Sequence, residues 1–183
     1  MEKDIQLTDG VIMLRPYQAN DIDSVYEAVR ESISELVEWM PWCHPNYSIE
    51  ESRTWVESQP DKWEKGEEYN FAISYNTGGL YLGGCGLRVI DRDIGIANIG
   101  YWVRTSQTDK GIATAATLLL ARFAFNELRL NRVEIAVAVD NQASLRVAEK
   151  SGAIKEGILR NRLTKNNTPC NAVVFSLIPQ DLA

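Results

Sequence analysis

The stretch from Ile96 to Phe125, IANIGYWVRTSQTDKGIATAATLLLARFAF, most constrains what this chain can fold into. It begins with strand-like residues, passes through a short polar turn at 106–114 and resumes as an apolar helix over 112–128. Beyond the helix, Val133, Ile135, Val137 and Val139 alternate with Glu134, Ala136, Ala138 and Asp140. That period of two marks a strand with one buried face. Strand, helix and strand in this order predict a right-handed crossover that sets 96–103 and 133–139 parallel. The turn puts small residues at a helix start, where unpaired N–H groups and the positive end of the dipole suit a phosphate. Gly111 permits close backbone approach, Ala113 leaves N–H groups unshielded, and Thr114, Lys110 and Arg104 offer a hydroxyl and charge. An ordinary helix start with a turn glycine accounts for the same spacing.

Residues 11–14 read as a first strand ended by Arg15-Pro16. Apolar residues over 21–37 have helical spacing, with Asn20 as N-cap. Pro41 and Pro45 forbid a regular helix over 39–45. A second helix covers 49–65, with Ser48 and Glu51 as a capping box and Pro60 expected to kink or divide it. Strands over 69–75, 80–90 and 96–103 follow with short connections, an antiparallel meander. A helix over 142–151 stops at Gly152. Strands over 154–160 and 172–177 form a hairpin through the turn 165–169. No repeat or linker interrupts the chain. The pattern describes one α+β domain, residues 1–183, around a mixed, mostly antiparallel sheet flanked by helices.

At 183 residues the chain is long enough for a substantial core. Its apolar runs fall short of the roughly 20 residues of a membrane span, and the polar start MEKDIQLTDG is unlike a secretory signal. A cytoplasmic protein without membrane contact is expected. Three scattered cysteines (Cys43, Cys85, Cys170) and the single His44 argue against a disulfide framework or zinc site, so no metal is expected. Cys43 beside His44 reads as a small hydrophobe next to a loop histidine. A net charge of −6 without any Lys/Arg run argues against direct nucleic-acid binding and permits a cationic amine or basic protein as substrate. No P-loop occurs, and Gly84-Cys85-Gly86 lacks the third glycine of a dinucleotide fingerprint. Those glycines read as bulges or as a surface that something packs against closely.

Thr108-Asp109-Lys110-Gly111-Ile112-Ala113 resembles the Gln/Arg-x-x-Gly-x-Gly/Ala segment before the pyrophosphate-binding helix of the GNAT superfamily of acetyl-CoA-dependent N-acetyltransferases. Thr108 departs from its first position, and Gln107 lies one place early. Residues 140–153, DNQASLRVAEKSGA, followed by Glu156-Gly157, resemble the family's Asn-x-x-Ser helix and its Lys-x-Gly-Phe ending, with Ala153 in place of the aromatic. Over nearly the whole chain, the likeness is to the ribosomal-protein N-terminal acetyltransferase branch.

The resemblance implies a GNAT-like sheet splayed between 96–103 and 133–139, with acetyl-CoA as cosubstrate in the gap. It assigns main-chain groups of Tyr101, Trp102 and Val103 to the pantetheine amides. Thr108, Asp109, Lys110, Gly111, Ile112, Ala113 and Thr114 go to the pyrophosphate, and Asn141 to the pantetheine arm. Arg146 joins the cofactor-binding residues, and Ser144 becomes a general-acid candidate near the thioester sulfur. Read from the residues alone, Asn141 is an N-cap and Ser144 a first-turn serine. Members of this branch can use a strand glutamate as base; the matching place here holds Leu163 after Arg162. Glu35, Glu38, His44, Asp140 or a water chain are the substitutes, each also readable as surface or structural. Trp39 and Trp42 either wall the acceptor site or anchor a loop on the core. The implied reaction is direct acetyl transfer to a primary amine. A protein or peptide N-terminal α-amine is preferred, with basic ribosomal proteins among the acceptors considered. A small-molecule amine acetyltransferase and a non-catalytic acyl-CoA-binding module are the alternatives, and the chain is expected as monomer or homodimer.

Overall fold

Residues 5–182 are described by the computed structural model. The strands are β1 (Leu7–Thr8), β2 (Ile12–Pro16), β3 (Tyr69–Tyr75), β4 (Tyr81–Asp91), β5 (Ile96–Val103), β6 (Arg132–Ala138), β7 (Ile154–Lys165) and β8 (Thr168–Leu177). The helices are α1 (Ile22–Glu31), α2 (Ile33–Trp39), α3 (Ile49–Lys65), α4 (Ile112–Asn126) and α5 (Gln142–Lys150). One eight-stranded sheet runs β1-β2-β3-β4-β5-β6-β8-β7. Only β5 and β6 are parallel neighbours, as the crossover through α4 requires.

Two hydrophobic layers hold the sheet. On one face, α4 lays Ile112, Ala116, Leu120 and Ala124 in an i, i+4 stripe over Leu82, Leu87, Ile99, Val133 and Ile135. The small alanines let the helix sit close, and Phe123 fills the remaining space edge-on to Tyr69 and Phe71. On the other face, α1, α2 and α3 pack Val25, Val29, Leu36 and Val56 around Ala72, Tyr17 and Tyr81. Val133, Ile135 and Val137 are buried as their alternation predicts, but β6 ends at Ala138 and Val139 is exposed beyond it.

Four local expectations are corrected. The helix read over 21–37 breaks at Ser32, whose hydroxyl turns away to accept the Thr105 N–H at 2.9 Å. Asp21, not Asn20, holds the N-cap position of α1, but its carboxylate makes no bond to the helix and is held instead by Arg15 at 2.6 and 2.7 Å and the Gln18 N–H at 2.8 Å. Pro60 does not divide α3: Gln59 and Trp63, on either side of it, are both tied to Asn70, and Gly66 closes the helix in the left-handed region. The β7–β8 turn contracts to Asn166-Asn167, both at positive φ, while Thr168 and Pro169 pair with β7. The Ser48/Glu51 capping box forms as expected.

Gly84 and Gly86 lie where the α1–α3 face of the sheet meets side chains closely. A Cβ on Gly86 would stand 2.0 Å from Asn70 Oδ1, and one on Gly84 would stand 2.4 Å from Tyr17 Oη. Gly86→Ala is therefore expected to displace Asn70 and cost about 1–3 kcal/mol, read as a lowered Tm in thermal unfolding.

Candidate active site

The sheet opens between β5 and β6. Their ladder runs only from Ile96–Asn98 against Arg132–Glu134. Beyond it, β5 stays bonded to β4 and β6 to β8, so 99–103 and 135–138 face each other unpaired. Unpaired strand edges are ready partners for an extended molecule carrying amides.

At the open end lies the turn before α4. Asp109 (φ +60°) and Gly111 (φ +77°) both take the left-handed conformation. Among the described residues, the N–H groups from Asp109 to Thr114 have no hydrogen-bond acceptor. Successive free N–H groups at the positive end of a 15-residue helix form an anion cradle. Nothing lies within 4 Å of a Cβ placed on Gly111, so the glycine there serves backbone shape and exposure of these groups. Thr108 and Gln107 turn their side chains inward: Thr108 Oγ1 donates to Thr105 O, and Gln107 Oε1 accepts from Tyr75 and Lys110.

The end of α1 clamps this turn. Glu31 accepts from the Arg104 guanidinium and from the Ser106 N–H at 2.9 Å, beside the Ser32–Thr105 bond. Arg104 is thus committed to Glu31. The pairing holds the Glu31 carboxyl far below its usual range, at about 2.

Asn141 caps α5, its Oδ1 accepting the Ser144 N–H at 3.0 Å. Ser144 Oγ lies 2.9 Å from Tyr101 Oη, and both line the open cleft with Asn141. Burial pushes the Tyr101 phenol up to about 12, so it stays protonated. Arg146 is exposed on α5.

From the cleft a cavity of about 700 Å³ continues over Gly84, Gly86 and Gly100 to the α1–α3 face. Trp39, Trp42, Trp55 and Trp102 line it. The carboxylates in its wall are engaged. Glu51 accepts from the Ser48 N–H and hydroxyl and is joined to His44 Nε2 at 2.7 Å, which lowers its pKa. Glu68 accepts from Lys62 at 3.0 Å and Asn70 at 2.8 Å; despite burial, which raises it, its pKa is also lowered.

The structure brings Ser144, Asn141, Tyr101, Trp102, Trp39 and Trp42 to one continuous surface. Glu35, Glu38, His44 and Asp140 are outside the cavity lining. Glu35 accepts from Ser34 and Thr105, while Glu38 and Asp140 share Lys165 at 3.0 and 2.7 Å. Leu163 lines the cavity at the place the strand glutamate would hold. Sequence reading missed the Tyr101 hydroxyl and the Glu31 clamp. Each acts on groups distant in sequence, and no local pattern signals them.

A sheet splayed beside an anion-binding helix start defines an acetyltransferase of the GNAT type. The chain belongs to that family: residues 12–154 match the acetyltransferase (GNAT) domain. It is 32% identical over 174 residues to the "Putative ribosomal N-acetyltransferase YdaF" of Bacillus subtilis (strain 168), covering 93% of this chain and 92% of that one. The fold is shared with the ribosomal L7/L12 α-N-protein acetyltransferase RimL, solved with coenzyme A (TM-score 0.87, 21% identity, 98% and 100% of the two chains). It is also shared with the microcin C7 self-immunity acetyltransferase MccE, solved with acetyl-CoA and AMP (TM-score 0.85, 21% identity, 96% and 99%). The protein is an N-acetyltransferase that takes its acetyl group from acetyl-CoA. The free N–H run and the unpaired strand edges fit that cosubstrate. Among the described residues no His/Cys/Asp/Glu cluster is placed to hold a metal, and no helix is long and apolar enough to cross a membrane.

The clamp has a pH signature. Glu31 titrates lower in the folded chain than unfolded, so it adds stability above about pH 4.5 that is lost as pH falls toward about 2. Glu31→Gln is expected to weaken acetyl-CoA binding several-fold by loosening 104–108. It should also lower Tm at neutral pH by about 2–4 °C, with the difference from wild type shrinking in acid. Calorimetry and thermal melts between pH 7 and 3 read both effects.

Proposed function

We propose that this enzyme acetylates the N-terminal α-amine of a protein or peptide by direct attack. The observation that carries the reading is that both carboxylates in the cavity wall, Glu51 and Glu68, are ionised and tied to donors. Neither is free to serve as a strong base or to bind a polycation. An α-amine has a pKa of about 7.7–8.0, against about 10.4 for lysine, so a useful neutral fraction exists at neutral pH without a strong base. The tryptophan-lined cavity suits an extended chain end, and the likeness to ribosomal N-acetyltransferases supports a cytoplasmic protein acceptor.

The roles of the residues follow from their positions. The N–H groups of Asp109 to Thr114 would hold the pyrophosphate, and the free edges of β5 and β6 the pantetheine amides. Acetyl-CoA, when bound, supplies a thioester whose carbon accepts the amine and whose sulfur leaves. A β5 main-chain N–H would stabilise charge on the carbonyl oxygen. Ser144 would donate a proton toward the sulfur, with Tyr101, 2.9 Å away and held protonated, orienting its hydroxyl, and the proton shed by the attacking amine would pass to solvent water and restore the serine.

Release of the CoA thiol is expected with short peptides and to stop when their N-termini are blocked; preference for free polyamines would overturn the assignment. Ser144→Ala should lower kcat about 100-fold with little change in acetyl-CoA affinity, and Tyr101→Phe less, about tenfold. An unchanged kcat removes Ser144 from the mechanism. The profile of kcat/KM should rise with pH and level off near the pKa of the acceptor amine, moving when that amine is changed. A limb fixed near pH 4–6 for every acceptor would reveal an enzyme carboxylate as the base.

A further inference from the structure

Five charged side chains line the cavity: Glu51, Lys62, Glu68, Arg88 and Lys165. Four of them are matched. Glu51 takes the Ser48 donors and His44, Lys62 meets Glu68, and Lys165 meets Glu38 and Asp140. Arg88 differs. Among the described residues its guanidinium makes no hydrogen bond or ion pair, and its Nε is shielded from solvent with no acceptor. A shielded donor without an acceptor is unfavourable, so an acceptor arriving with a ligand recovers that loss.

The surroundings fix the group in place. The Arg88 guanidinium lies over the Trp55 indole, 5.4 Å from the ring centre, which restrains the plane of its fork. Arg88 stands two residues along β4 from Gly86, and Gly86 pairs with Gly100 at the lip of the cleft. That step is roughly 6.6 Å, about two residues of an extended peptide. Gly84, Gly86 and Gly100 all line the cavity between cleft and guanidinium, and above Gly100 the space is open, with nothing within 4 Å of a Cβ placed there.

We propose that Arg88 is a specificity-determining residue of the acceptor site, receiving a carboxylate that the acceptor carries close to its reactive amine. The carboxylate comes either from an acidic side chain near a peptide N-terminus or from the α-carboxylate of a free amino acid. A planar fork on an aromatic face matches a carboxylate through two parallel hydrogen bonds. Glu68 in the same wall opposes a second negative charge, which favours a monoanion over a phosphate dianion. The surface charge of −6 and this local cation act at different ranges: the first draws a basic protein in, the second selects its terminus. The inference rests on the acetyl-transfer reading and names the acceptor more closely.

The test pairs acceptors that differ only in charge: Ala-Glu-Ala-Ala against Ala-Gln-Ala-Ala, and free glutamate against its α-amide. CoA release gives kcat/KM, and calorimetry on the enzyme–CoA complex gives peptide affinity without turnover. Wild type is expected to favour the acidic member of one pair by about tenfold, mostly through KM. Arg88→Gln should bring that ratio to about one, and Arg88→Glu should invert it toward Ala-Lys-Ala-Ala. Acetyl-CoA affinity of each variant reports that it is folded. Which pair responds identifies the source of the carboxylate. Discrimination confined to free glutamate would keep Arg88 and replace the peptide acceptor. Turnover and binding indifferent to charge in both pairs, or a ratio that survives Arg88→Gln, would overturn the Arg88 proposal while leaving the acetyl-transfer reading intact.

Discussion

The short ladder between β5 and β6 is the constraint on which the rest of the site depends. Three residue pairs are enough to hold the crossover strands parallel at one end. Past Asn98 and Glu134 the strands are each anchored outward, β5 to β4 and β6 to β8, and cannot close on one another. Backbone groups that a closed sheet would spend on itself are thereby left for a ligand. The buried valine and isoleucine face of β6 and the alanine stripe of α4 keep the gap from collapsing, because they fix both walls to a common core. Chemistry is placed at the gap by what borders it: α4 begins past the open end of β5, and α5, which follows β6, brings Ser144 to Tyr101.

The same geometry divides what the sequence discloses from what it hides. The helix start at Gly111 and the capping box at Ser48 are local patterns that form as read, and the alternation at 133–139 forms as a strand as far as Ala138, beyond which Val139 is exposed. The break at Ser32 is invisible locally, since the helical periodicity continues through it. Its cause is a hydrogen bond to Thr105, far along the chain. Pro60 misleads for the opposite reason: a local breaker is overridden by Gln59 and Trp63, which are tied to Asn70. Pro169 likewise reads as part of a turn but sits in the β8 ladder. For the site, the phosphate end is legible because it is one continuous segment. The tryptophan-lined cavity, the proposed acceptor end, draws its wall from α1, α2, α3, β4, β5 and β7 among others, and no spacing along the chain reports that assembly.

The two ends are also joined mechanically. α1 and the helices after it wall the tryptophan-lined cavity, and Glu31 and Ser32, at the end of α1, accept from the Ser106 and Thr105 N–H groups of the turn before α4. A ligand that bound both the turn and the cavity would act on α1 from both sides, and linkage would make any such influence equal in both directions.

The cradle itself has a consequence for how such proteins diverge. Its donors are main-chain N–H groups, and its shape rests on two left-handed residues, Asp109 and Gly111. Thr108 and Gln107 spend their side chains inside the turn. Residue identity at those places is free to drift while the curvature of the backbone persists. A lineage can thus shed the spelling of its motif and keep the curve that exposes these N–H groups, so kinship in this segment is better traced through torsion angles than through letters.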